Sequence, residues 1–563
     1  MLLTEKKLEE LLVPKHISKD DFDMVAVEAK KKNVPLDLLL TEKGFIQDST
    51  LGRIIADETG CEFLDIKRTQ IVEIDSELLD YIPEAVAYAQ KTVVLEQDKD
   101  TLKVITSNPD NYTFFKLLEK KSGKKVKVFY VTPFNIDQAL KRYKGDLRRE
   151  VKNLLEELEK NPVKKEQNIV ELVSLLMEYA YTNLASDIHI EPLSEIVVVR
   201  FRIDGIMHKV AEYSKELHNQ VVSRIKIMAK LRTDEKAAAQ DGRFEMETAV
   251  QKIDVRVSIL PITEGENVVM RLLMQRGRWF TISDLGLSES DLKKIRNNAV
   301  KPYGMILVVG PTGSGKTTTL YAILQYLNKP EVNIMTIEDP VEYNIEGIHQ
   351  TQLNPAKDIT FPKGLRTIVR QDPDVIMIGE IRDEETVDIA INSAMTGHLV
   401  LSTMHTNDSA TTFPRLLEMG AEPFLVASSV NVAIAQRLVR SICQDCKEEY
   451  YLSETELKYF DSEPELAELL KNIAKVDDLS KVKLYRGRGC KICNDTGYYG
   501  RNAIFEVLEL TEELRNLIIG KSSSDMIKKK ATEQGMTPMI HDGIIKVLEG
   551  KTTLSEVIKV TKI

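Results

Sequence analysis

The run Gly310-Pro311-Thr312-Gly313-Ser314-Gly315-Lys316-Thr317 satisfies G-x-x-x-x-G-K-[ST] in full. A chain of this length matches that pattern by chance about once in a hundred. The chemistry it suits is the grip on a nucleoside triphosphate. Glycines let backbone N–H groups curl around phosphate oxygens, and a helix N-terminus adds partial positive charge. Lys316 is then expected at the β and γ phosphates, Thr317 as a Mg²⁺ ligand, and Thr318 as the next residue of the nucleotide-binding run. The flanks agree. Ile306-Leu307-Val308-Val309 is an apolar run of buried-strand type, and Thr318 to Leu327 has helical character.

Three further apolar runs end in polar groups: Ile334–Ile337 before Glu338-Asp339-Pro340-Val341-Glu342, Val375–Ile378 before Gly379-Glu380, and Leu399–Leu401 before Ser402-Thr403-Met404-His405. In an open parallel sheet ligands bind at the C-terminal strand ends. A water attacking the γ-phosphate must be oriented and relieved of a proton, for which Glu380 and Glu342 are the candidates. Glu338 or Asp339 is a candidate to hold the metal through water. His405 and His398 are candidates to contact the γ-phosphate. For a lone histidine the structural reading wins; position at a strand end makes the two readings about even here.

A second site is spelled by cysteines. Cys443-Gln444-Asp445-Cys446 and Cys490-Lys491-Ile492-Cys493 are two C-x-x-C knuckles with 43 residues between Cys446 and Cys490. Four thiolates suit a closed, tetrahedral structural Zn²⁺, while a redox role is the rival for any single C-x-x-C. The separation is longer than in common zinc ribbons. Cys61 stands alone and reads as a small buried residue.

The elements that must position these groups need several domains, since 563 residues exceed one hydrophobic core. The composition, 43% hydrophobic and 29% charged, fits a soluble globular chain. No apolar run reaches the ~20 residues of a membrane span and the N-terminus lacks a signal-peptide core, so a cytoplasmic location is expected. A net charge of −10 lowers the expectation of nucleic-acid coating.

Residues 1–66 read as short helices and 67–144 as a small α/β domain with strands at Thr92–Leu95 and Leu102–Ile105. The polar stretch 145–167 reads as a charged helical linker, mobile between domains. A helix at Ile169–Tyr181 opens an α+β domain over 168–275. Its strands are Ile196–Arg202, Ile253–Val257 and Val268–Leu272, and Asp204-Gly205 is a hairpin turn. The α/β domain with the P-loop fills 276–563, with the cysteine insertion at about 440–500.

Several segments resemble the secretion-superfamily ATPases, in particular the type IV pilus assembly (extension) ATPase and its type II secretion counterpart. They are Ala185–Pro192, Arg200–Gly205, Gln240-Asp241-Gly242-Arg243 and the P-loop. Then come Glu338–Glu342 as an Asp box, Asp374–Asp383 as a Walker B segment and Thr396–Asn407 as a His box. Gly489–Arg501 is similar to the family's zinc segment. The resemblance covers roughly 169–510. It implies a RecA-like ATPase domain preceded by a PAS-like domain, in a homo-hexamer that uses ATP, Mg²⁺ and Zn²⁺. It places Arg256 and Arg271 on the strands that supply arginines across a subunit boundary, with a surface salt bridge the equal alternative for each.

The resemblance further implies an inner-membrane platform protein as partner, a membrane-associated scaffold docked on the N-terminal region, and pilin-like subunits reached indirectly. Retraction ATPases resemble the core but lack the cysteines and the long N-terminal region, which favours assembly. A type II secretion ATPase and a DNA-translocating motor are the alternatives. Residues 1–66 resemble an MshEN-like helical shell, in which Pro35–Ile46 is similar to a motif that binds cyclic di-GMP in some relatives. Pro35 and Asp37 replace its arginine and glycine, and Glu58 replaces a glutamine. Carboxylates there disfavour an anionic ligand, so weak or no binding is expected.

Overall fold

The computed structural model describes residues 3–561 except 14–16, 18, 33–34, 43–44, 47, 65, 67–73, 141–146, 161–164, 248–251, 274–280 and 494. The domain boundaries expected after 66, 144 and 275 fall on or beside those exceptions. The chain divides into two compact units, Met1–Arg278 and Trp279–Ile563.

The first unit opens with helices Glu5–Leu12, Lys19–Lys32, Leu36–Glu42 and Asp48–Thr59. They bury Leu8, Leu12, Phe22, Leu40 and Ile55 against one another. Strands β1 (Thr92–Gln97), β2 (Thr101–Thr106) and β3 (Lys125–Tyr130) then form a three-stranded sheet. β1 and β2 are an antiparallel hairpin, while β2 and β3 are parallel and need the crossover helix Tyr112–Ser122.

Residues 147–160 are helical, as read, but the helix Leu147–Lys160 is packed rather than free. Val151, Leu154, Leu155 and Leu158 recur at helical spacing among its charges and are buried in the core of the following domain. The charges mask that stripe in any composition count. The domain itself is a six-stranded antiparallel sheet built from β4 (Asp187–Pro192), β5 (Ile196–Ile203), β6 (Ile206–Ser214), β7 (Gln240–Glu247), β8 (Lys252–Ile262) and β9 (Gly265–Leu273), ordered β6-β5-β4-β9-β8-β7. One face packs Ile188, Val199, Val255 and Met270 on helices Lys165–Thr182 and Lys215–Met228. Asp204 and Gly205 both take positive φ in the β5–β6 turn, as a two-residue hairpin demands.

The second unit is a seven-stranded sheet, ordered β12-β11-β13-β14-β10-β15-β18. Its strands are β10 (Gly304–Val309), β11 (Ile334–Glu338), β12 (His349–Gln352), β13 (Val375–Ile378), β14 (Leu399–Met404), β15 (Val430–Ile442) and β18 (Tyr498–Glu509). All neighbours are parallel except the antiparallel edge pair β15–β18. Helices cover both faces, so β10, β13 and β14 are buried along their whole length, as their unbroken apolar runs require. The small hairpin β16 (Lys447–Tyr451) and β17 (Lys483–Gly487) lies in the cysteine insertion. No helix among the described residues is long and apolar enough to cross a membrane.

Candidate functional site: a phosphate loop and its acidic strand ends

The loop leaves central strand β10 at Gly310 and enters helix Lys316–Leu327. Glycine is required at two of its positions by space as well as by torsion. Gly310 has φ 149°, and a Cβ there would lie 2.6 Å from the Gln436 carbonyl oxygen. Gly315 caps the helix at φ 88°, where a Cβ would meet Gln436 Nε2 at 2.7 Å. Gln436 also accepts a buried 2.7 Å hydrogen bond from Thr319 on the second turn of the helix. β15 therefore clamps the loop from both its ends.

Lys316 Nζ donates to the carbonyls of Gly310 and Pro311 at 2.9 and 3.1 Å. Burial pulls its amine below the usual value, the Glu380 carboxylate pulls it back up, and the Arg437 guanidinium pushes it down further. Glu380 thus belongs electrostatically to the phosphate loop. Its buried carboxylate pairs with Arg382 at 2.5 Å and stands 3.4 Å from His405 Nε2, with the His405 ring half exposed. Ser402 and Thr403 hydroxyls donate to the Ile378 and Gly379 carbonyls at 2.8 and 2.7 Å. They lock the end of β14 to that of β13 and fix His405 relative to Glu380.

Glu338 has a different setting. It is buried and accepts hydrogen bonds from Tyr321 Oη, from Thr336 Oγ1 at 2.6 Å and from Gln350 Nε2 at 3.1 Å. Burial and that carboxylate push the Tyr321 phenol well above its usual range. The Glu342 N–H in turn donates to Tyr321 Oη at 3.3 Å. Tyr321, one turn into the phosphate-loop helix, thereby ties the segment from Glu338 to Glu342 to that helix. Asp339 is exposed beside the strand end, and Glu342 is half buried. Hard oxygen donors of this kind, with the Thr317 hydroxyl, suit Mg²⁺.

His398 is not brought to the loop within its unit. It precedes β14, its carbonyl accepts from Gly304 N–H at 3.2 Å, and its Nδ1 lies 2.9 Å from the Ser393 carbonyl. Gly304 starts β10, whereas Gly310 sits beside Met404. A six-residue strand, roughly 20 Å long, separates His398 from the phosphate loop.

Arg256 and Arg271 lie in the other unit, directly opposite one another on β8 and β9. Arg271 Nε donates to Asp187 at 2.9 Å.

The four cysteine sulfurs lie within 4.8 Å of one another. Cys443–Cys490, Cys446–Cys493 and Cys490–Cys493 are 3.9, 3.8 and 3.7 Å apart. Zn–S bonds of ~2.3 Å on a tetrahedron put sulfurs ~3.8 Å apart, so this cluster fits Zn²⁺. The long separation is filled by β16, helices Glu454–Asp461 and Pro464–Ala474, and β17. A Cβ on Gly487 would lie 2.1 Å from the Gly497 carbonyl oxygen, so the knuckles close only with glycine there.

Sequence reasoning missed Gln436, Tyr321 and Arg437. A glutamine-arginine pair inside the apolar run of β15 was the available signal.

A glycine loop at the end of a central parallel strand, a half-buried lysine under the field of a strand-end glutamate, and a histidine beside that glutamate define a P-loop ATPase. The sequence model of the family described as Type II/IV secretion system protein matches residues 163–559, and the chain belongs to that family; it is an ATP-hydrolysing enzyme. An MshEN domain model matches residues 60–150, the stretch that contains β1–β3. The Type II secretion system protein E of Pseudomonas aeruginosa is 46% identical over 70% of this chain and 76% of that protein. The Type IV pilus assembly ATPase PilB of Myxococcus xanthus is 37% identical over 98% of both chains. The Yersinia pseudotuberculosis ATPase DotB shares the fold, with 19% identity and a TM-score of 0.51 over 69% of this chain and 93% of that one.

Proposed function

We propose that the chain is the cytoplasmic motor of type IV pilus assembly, acting at the inner face of the inner membrane. The observation that favours it is that similarity to the pilus assembly ATPase runs over 98% of both chains, N-terminal region included. The type II secretion reading is favoured by the higher identity, 46%, over the shared core.

In this reading six copies form a ring, each with a PAS-like domain at 168–275 and a RecA-like domain at 276–563. Lys316 and the loop amides bind the β and γ phosphates, and Thr317 with a strand-end acid holds Mg²⁺, which offsets phosphate charge. Glu380 orients the water and takes its proton, with Glu342 as the other candidate, and His405 senses the γ-phosphate. Arg256 and Arg271 reach a neighbour's nucleotide, a contribution worth ~10³–10⁵ in rate where it is made. ATP binds the closed form of the two domains better than the open form, and that difference drives the motion. A platform protein in the ring centre then moves, and pilin-like subunits leave the membrane. The N-terminal region docks on a scaffold protein, the four cysteines hold structural Zn²⁺, and nucleic acid is not a direct partner.

The test is a strain whose chromosomal copy carries Lys316→Ala. Surface filaments are expected to vanish while pilin stays in the membrane. Normal filaments would move type II secretion to the front and leave the ATPase unaffected.

Cyclic di-GMP is expected to bind weakly or not at all. Asp37 is buried, and Glu58 is paired with Lys7 at 2.9 Å, so neither offers the anion a donor. Saturable low-micromolar heat in calorimetry would overturn this.

A further inference from the structure

Arg437 follows Gln436 on β15, one residue past the carbonyl that abuts Gly310. The residue is buried, with 6% of its surface accessible. Nη2 makes two long contacts, both 3.3 Å, to the carbonyl and the side-chain oxygen of Asn407. Nη1 is buried with no partner among the described residues. The carboxylate that opposes its charge, Asp408, is shared, since Asp408 accepts from Thr411 N–H at 2.8 Å and pairs with Lys528 at 3.5 Å. A buried guanidinium so weakly compensated is costly. A fold retains such a group most readily where an anion arrives to compensate it.

We propose that Arg437 is a nucleotide-binding residue supplied in cis, whose guanidinium turns its free Nη1 to the phosphates held by the Gly310–Thr317 loop. This rests on the ATPase reading of that loop and adds a cation to it. It also gives the Asn407 contact a purpose. When Arg437 commits to phosphate, its long bonds to Asn407 are the ones released, two residues from His405, so phosphate occupancy is felt by the loop that carries the histidine.

The test compares full-length wild type, Arg437→Met and Arg437→Lys. Each is melted with and without saturating ADP or a slowly hydrolysed ATP analogue, and nucleotide affinity is titrated by fluorescence. Arg437→Met removes a buried, under-compensated charge, so its nucleotide-free Tm is expected to match or exceed wild type. Its nucleotide-induced Tm shift should shrink, and affinity for the ATP analogue should fall about ten- to hundred-fold, as for one lost charge-assisted hydrogen bond. Arg437→Lys should keep part of both. A lowered nucleotide-free Tm with wild-type affinity would mean that Arg437 only holds Asn407, and would overturn the proposal, as would variants indistinguishable from wild type. If Arg437→Met does not fold, unchanged affinity in Arg437→Lys overturns it and weakened affinity supports it. Failure of wild type itself to bind nucleotide would instead sink the ATPase reading.

Discussion

Glu380→Gln is expected to bind ATP with near-normal affinity and to hydrolyse it about 10²–10⁴-fold more slowly, the usual contribution of a positioned general base. Glutamine keeps the size and can still face Arg382 and His405, which now lie 2.5 and 3.4 Å from the carboxylate. What it loses is the charge and the ability to accept a proton. The electrostatics at Lys316 should shift little and in a known direction. The Glu380 carboxylate is what holds the lysine up against burial and Arg437, so its removal eases deprotonation of a group that phosphate will in any case hold charged. Lys316→Ala should differ by losing affinity as well as turnover. The pair is separated by fluorescence titration and single-turnover hydrolysis. Normal single-turnover rates in Glu380→Gln would move the base to Glu342, whose N–H is held by Tyr321.

The phosphate loop was legible because its constraint is local. The local part is the positive φ of Gly310 and Gly315 and the approach of Ser314 Oγ, 2.6 Å from a Cβ on Gly310; the crowding by Gln436 comes from a distant strand and was not readable. The hairpins were legible for the same reason, as Asp204-Gly205 and the alternation of β5 show. Long-range constraints were not. Thr319 and Gln436 are 117 residues apart in sequence and meet through a buried hydrogen bond, and no periodicity announces that pairing. Glu338 reads as a metal-site acid because the chain places it at a strand end; the hydrogen bonds it also accepts were not readable from sequence. Tyr321, Thr336 and Gln350 all donate to it. His398 shows the cost of reading a strand without its register. It borders the same apolar run as His405, but at the other end. The burial of the helix Leu147–Lys160 was hidden because charge dominates its composition while its burial depends on spacing alone.

Stripping the metal from the four cysteines is expected to loosen the knuckles and leave the ATPase sheet folded. Structural zinc sites contribute apparent binding energies of about 10–16 kcal/mol in isolated fingers, which can decide whether such a module folds. This insertion would depend less on a bound metal. Leu452, Phe460, Leu466, Leu470, Val482 and Leu484 are buried in the same apolar core as Val400 and Phe413, so its helices and the outer part of its hairpin have support of their own. The segments without that support are 443–447 and 487–500, where the sulfurs cluster and Gly487 abuts Gly497. Chelation, or Cys493→Ser, should therefore raise hydrogen exchange steeply in those two segments. β10, β13 and β14 should stay protected, and basal ATP turnover should remain within about two-fold, since β15 and β18 enter and leave the insertion as a long antiparallel pair that packs without it. Stoichiometric zinc in the purified chain, lost together with protection at the knuckles, is the expected result. A folded chain that never carries metal, or exchange at 443–447 and 487–500 that ignores the chelator, would show that the four thiols close this turn by themselves.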